Sequence, residues 1–175
     1  MLMYVALALV AAVAVLLLVA ATRPDSFTVK REATVAAAPD RVFALIEDFH
    51  AWLAWSPWEG RDPNLQRTYA GAERGPGASY AWSGNKEVGS GKMTVTATEP
   101  ARKVVIDLEF ITPFPAKNVT TFALAPDGAG TRVTWTMEGK STFMFKLMGL
   151  VMNMDAMIGK DFEAGLAKMN QAAKG

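Results

Sequence analysis

The chain of 175 residues has no cysteine and a single histidine, His50. Disulfides, zinc–thiolate sites and cysteine nucleophiles are thereby excluded. A Ser-His-Asp triad or a multi-histidine metal site has one candidate residue at most. An excess of either charge is also missing. The 18 basic residues against 17 acidic ones set up no one-signed field, and without a basic stripe no nucleic-acid partner is expected. A phosphate loop is absent too: Gly89-Ser-Gly-Lys-Met93 puts Met93 at the Ser/Thr position, and Lys86 stands where the first glycine belongs. No motif asks for a metal or a cofactor, and neither is expected.

Charge is missing altogether from the first 22 residues. Leu2 to Ala21 is an apolar run, and as a helix rising 1.5 Å per residue it would reach about 30 Å, the thickness of a bilayer's hydrocarbon core. Residues 1–22 are therefore expected to form a single-pass transmembrane anchor. A cleaved signal peptide is the alternative, with Val19-Ala20-Ala21 offering small residues for cleavage. Signal peptides carry a positive N-terminal stretch and an apolar run of about 7–15 residues. Here no Lys or Arg precedes the run, and the run is longer. Arg23, Lys30 and Arg31 follow it, so the positive-inside rule leans toward a cytoplasmic domain, with an exported one as the alternative.

Residues 23–26 form a linker and 27–175 one globular domain. Phe27–Val35 has strand composition. Ala36-Ala-Ala-Pro39-Asp40 then opens a helix: Pro39 fits its first turn, Asp40 suits the positive end of its dipole, and Val42, Phe43, Ile46 and Phe49 follow at helical spacing. Phe49, Trp52, Trp55 and Trp58 recur every third residue. Each ring can bury some 150–250 Å², so this run must wall a core or a cavity. After it the period drops to two. Strands are expected at 65–69, 79–83, 91–98, 103–110, 117–124 and 131–138, joined by Gly-, Pro- and Asn-containing turns as an antiparallel meander. Leu147, Val151, Met154, Ile158, Phe162, Leu166 and Met169 then step by four or three. They predict one long C-terminal helix over about 143–172, in which Gly149, Gly159 and Gly165 mark close packing or a bend. The order of elements is that of an α+β domain.

Several segments together resemble the START-like, helix-grip (SRPBCC) superfamily, and within it the polyketide cyclase/dehydrase and lipid-transport-like proteins. They are Ala37-Ala-Pro-Asp-Arg-Val-Phe-Ala-Leu-Ile46, Trp52-x-x-Trp-Ser-Pro-Trp58, Gly75-Pro-Gly-Ala-Ser-Tyr80, Gly130-Thr-Arg-Val-Thr-Trp135 and the methionine-rich C-terminal helix. The resemblance covers residues 26–172. It implies a curved antiparallel sheet of about seven strands wrapped around the C-terminal helix. Its members bind lipids, sterols or polyketides, or catalyse cyclisations.

A cavity between sheet and helix would be lined by Trp55, Trp58, Tyr80, Trp82, Phe110, Phe122, Trp135 and Met137. Met148 and Met152 are placed there too, because methionine adapts to varied apolar shapes, with plain core packing and a membrane-facing position as the alternatives; Met154 and Met157 are expected in the core. His50, and the Asp107/Glu109 pair on one strand face, are the candidate acid–base groups. His50 is expected to cap a helix end or face solvent, and the pair to lie on a solvated outer face, since Val104, Ile106, Leu108 and Phe110 take the inner face of that strand. No catalytic residue is assigned. The first reading is a membrane-tethered protein that binds a hydrophobic small molecule, lipid-like or polyketide-like. A cyclase- or dehydratase-type enzyme and a ligand-free interaction module are the alternatives. The oligomeric state is not written in these residues.

Overall fold

The computed structural model describes residues 1–174; Gly175, the last residue of the expected domain, lies outside the described residues. The elements run α1 (Leu2–Ala21), β1 (Ser26–Val35), α2 (Pro39–Glu47), a 3-10 turn (Ala51–Ala54), β2 (Gln66–Gly71), β3 (Ala78–Ser83), β4 (Ser90–Glu99), β5 (Lys103–Thr112), β6 (Ala116–Asp127), β7 (Gly130–Lys140), α3 (Phe143–Val151) and α4 (Met154–Ala172). The strands form one antiparallel sheet in the order β1-β7-β6-β5-β4-β3-β2. β2 to β7 are the expected meander. β1 closes against β7, and α2 with the aromatic run carries the chain from one sheet edge to the other.

Strict alternation sets the inner face. On β6, Asn118, Thr120, Phe122 and Leu124 are buried while Lys117, Val119 and Ala123 are exposed, as a sheet with one wet face requires. α2 buries Val42, Phe43 and Ile46 on that inner face. Its last carbonyls, which have no partner within the helix, receive the indoles of the run that follows: Trp52 Nε1 donates to Ile46 O at 2.9 Å, and Trp55 Nε1 to Leu45 O at 2.8 Å. Two of the run's tryptophans therefore fasten a helix end.

α4 lies across the sheet at β1 and β7. Its Phe162 stacks on Trp135 with ring centroids 4.1 Å apart. A Cβ on Gly165 would fall 2.8 Å from Trp135 Cζ3 and 3.0 Å from Pro57 Cδ, so the absence of a side chain is what lets the helix sit directly on the indole. The C-terminal helix is not the single rod expected from its periodicity. It breaks at Met152–Asn153, where both residues are extended, and Asn153 caps α4 by accepting the Ala156 N–H at 3.0 Å. The break falls at this cap rather than at any glycine.

At the other end of the chain, α1 is one helix, long and apolar enough to cross a membrane by length and composition. It packs against α3, and the residue it buries is Ala20.

Candidate binding cavity

Between the inner face of the sheet and the α3–α4 pair lies a cavity of about 320 Å³, within the size range of small-molecule sites. Its floor is Tyr80 and Trp82 from β3, Met93 from β4, Leu108 and Phe110 from β5, Asn118 and Thr120 from β6, and Trp135 and Met137 from β7. Trp52, Trp58, Glu59 and Leu65 close one end. Met144, Phe145 and Met148 of α3 with Met154, Ile158 and Phe162 of α4 form the roof, and Phe114 in the β5–β6 turn stands at the rim.

Local geometry fixes the wall. Trp82 is paired with Gly91 across β3 and β4, and a Cβ on Gly91 would lie 2.4 Å from the indole. The ring occupies that vacant space and donates Nε1–H to Val88 O at 3.0 Å. Phe27 of β1 stacks on Phe145 with centroids 4.5 Å apart, joining roof to sheet.

Seven of the ten residues expected to line a cavity do so: Trp58, Tyr80, Trp82, Phe110, Trp135, Met137 and Met148. Three do not. Trp55 is turned into the core by its bond to Leu45, and Phe122 is fully buried between Trp55 and Trp135. Met152 lies in the extended link between α3 and α4, against an open groove beside the linker. Met154, expected in the core, lies on the wall, and Met157 is exposed.

Eight polar wall residues escaped the sequence reading: Ser56, Glu59, Glu87, Asn118, Thr120, Lys140, Thr142 and Asp161. Asn118 and Thr120 share strand parity with Phe122, and the alternation alone could have found them. Glu59 and Asp161 carried no such signal. Glu59 leaves the aromatic run with its side chain 12% exposed and is ion-paired to Arg67; it also accepts the Tyr80 hydroxyl at 3.2 Å. Burial, with the Glu59 charge beside it, pushes the Tyr80 phenol well above its ordinary range, so Tyr80 is a donor and not a phenolate. Asp161 on α4 is ion-paired to Arg61. Two of the three wall carboxylates are thus neutralised by arginines from the segment that follows the tryptophans; the third, Glu87, is exposed.

The candidate acid–base groups lie elsewhere. His50 is 56% exposed, with Nδ1 3.0 Å from Asp48, and its ring stacks on Tyr69. Asp107 and Glu109 point outward, and Glu109 meets Lys117 at 3.5 Å. Among the described residues, no three His, Asp or Glu side chains converge as a metal ion would require.

Comparison with known proteins agrees with this architecture. Residues 26–174 match the model of a family described as polyketide cyclase/dehydrase and lipid transport. No curated protein matches the chain in sequence. Among solved structures, a protein from Chromobacterium violaceum superposes with a TM-score of 0.60 at 15% identity, covering 87% of this chain and 99% of its own. The Aha1 dimer from Colwellia psychrerythraea gives 0.60 at 13%, covering 84% and 96%. A Staphylococcus aureus protein gives 0.63 at 13%, covering 85% and 94%. At such identities the likeness speaks for the fold.

Proposed function

We infer the function from one premise: the chain belongs to the polyketide cyclase/dehydrase and lipid-transport family. We propose that it binds a hydrophobic small molecule, lipid-like or polyketide-like, between the sheet and the C-terminal helices, and that α1 tethers it to a membrane with residues 27–175 as the binding domain. The observation that carries this reading is the cavity itself: mostly apolar on floor and roof, with two of its three carboxylates, Glu59 and Asp161, already paired to an arginine. Such a wall rewards desolvation. Each buried CH₂ contributes about 0.8 kcal/mol, so some ten methylenes approach the roughly 8 kcal/mol of a micromolar complex before the cost of immobilising the ligand. The tether would keep the cavity where such molecules partition.

Native mass spectrometry of the protein taken from membranes, with titration of fluorescent fatty-acid and polycyclic aromatic probes, tests this. A co-purifying small molecule and micromolar uptake of at least one probe are expected. Leu108→Trp, which fills the floor, should weaken uptake by about tenfold or more. A wild-type protein that carries nothing and takes up neither probe would refute the reading. An enzymatic reading has one foothold on the wall, the Tyr80–Glu59 pair, and would need turnover that Tyr80→Phe abolishes while binding survives.

A further inference from the structure

We propose that α3 and the β5–β6 turn form an apolar lip that sits in the interfacial layer of the bilayer, so that the cavity opens toward lipid rather than water. The proposal rests on the reading of α1 as an uncleaved anchor.

The lip is defined by composition and exposure together. None of the nine residues of α3, all of them described, is buried, although seven are Phe, Met, Leu or Val. So short a helix is marginal by itself in water, and most of its residues gain more from an apolar surrounding than from solvent. Val151 is 81% exposed, and Phe143 is about half exposed. Across the mouth, Ile111 near the end of β5 and Phe114 of the β5–β6 turn are half exposed as well. The two lip segments, 111–116 and 141–152, carry one charged side chain between them, Lys146. Lys146 is spent on Asp25 of the linker.

The position of α1 says what covers the lip. Only Thr22–Asp25 separate α1 from β1, a span of at most about 14 Å. The linker is also held to the lip: Asp25 takes Lys146, and Asp25 O accepts the Ser141 N–H at 2.9 Å. α1 itself packs on α3. If α1 spans the bilayer, α3 therefore lies where α1 emerges from the hydrocarbon, the depth at which amphipathic helices rest. The lip has no acidic side chain to be repelled by anionic headgroups. α3 is also the one layer between that surface and the ligand space, because Met144, Phe145 and Met148 line the roof. Its extended joint at Met152–Asn153 is the place where it can swing aside to admit a ligand from the membrane.

The absence of native cysteine makes the test direct. Single-cysteine variants of the full chain, Phe114→Cys, Phe143→Cys and Val151→Cys, are labelled with an environment-sensitive fluorophore and placed in vesicles of phosphatidylcholine and phosphatidylglycerol. Arg102→Cys, in the turn at the far end of the sheet, is the control. Lip labels should shift to the blue and be quenched several-fold more than the control by lipids carrying a doxyl group near the headgroup. Val151→Cys guards against misfolding, since its side chain is already in the open. An intact, membrane-bound protein whose lip labels escape lipid quenching overturns the proposal. So does a blue shift without lipid quenching that accompanies cross-linking to a second copy, which would make the lip a dimer contact. Loss of residues 1–21 in cells overturns the proposal together with the anchored reading. The labels report without any ligand, so failure of the cavity to bind one leaves this result standing.

Discussion

Arg31 reaches from β1 across α4 and lies over Gly159, where a Cβ would fall 2.0 Å from its Nη2. From there it grips α4 twice, at Asp155 (2.9 Å) and Glu163 (2.8 Å). Alanine in a helix interior is normally better than glycine by up to about 1 kcal/mol, so propensity and packing disagree at this position. Packing should win: Gly159→Ala must displace a guanidinium held by two carboxylates and is expected to lower the melting temperature. Gly149 in α3 has nothing within 4 Å of the same virtual atom, and Gly149→Ala should be neutral or stabilising by up to that amount. Thermal melts of the two variants side by side check the contrast, and equal effects would contradict it. The cavity was partly legible at this same scale. Inward aromatics announce themselves by strand parity, which is why Tyr80, Trp82, Phe110, Trp135 and Met137 could be named from the sequence. Trp55 could not be separated from Trp58, because a spacing of three does not say which indole will find a helix carbonyl. Glu59 was invisible because its role depends on Arg67 and Tyr80, which reach it from a different part of the chain.

The Arg31 clamp also joins two elements, and its protonation sets how firmly. Hydrogen bonding to Arg31 holds the Asp155 carboxyl below its ordinary value of 3.8. A carboxylate whose folded value is depressed contributes stability that is fully present above its unfolded value and is lost as pH falls through the folded one. The contribution from Asp155 is thus constant near neutrality and disappears below about pH 4. Because Asp155 is more than half exposed, the effect is small and screened by salt. Melting temperatures measured from pH 7 to 3 should fall less steeply in Asp155→Asn than in the wild type, and identical slopes would remove the clamp from the account. The elements themselves were well marked in the sequence, since a sheet with one wet face writes its period into the residues. The joint between α3 and α4 was not. Leu147, Val151, Met154 and Ile158 keep stepping by four, three and four straight through it, so a stripe that stays in phase conceals a break in the backbone. Only Asn153, a good N-cap inside an apolar run, hinted at the joint.

At the scale of the whole molecule, two surfaces have different dependences on α1. The core runs from Val29 to Ala173 through sheet, α2 and α4, and the buried residue of α1, Ala20, is not part of that cluster. Folding of residues 23–175 should therefore not need the helix, and the truncated domain is expected to melt cooperatively within a few degrees of the full chain. α3 is in another position. It loses the helix packed against it, and an apolar surface that large rarely stays bare on a soluble monomer. The truncated domain should then self-associate in plain buffer and return to a monomer when a mild detergent or lipid is supplied, as read by size-exclusion chromatography with light scattering. Circular dichroism on the same samples separates the two effects: native-like spectra with detergent-reversible association support an independent domain with an exposed lip. A truncated chain that fails to fold even in detergent would mean that α1 is a structural part of the domain. One that stays monomeric without detergent would mean that α3 folds back over the cavity mouth and needs no cover from outside.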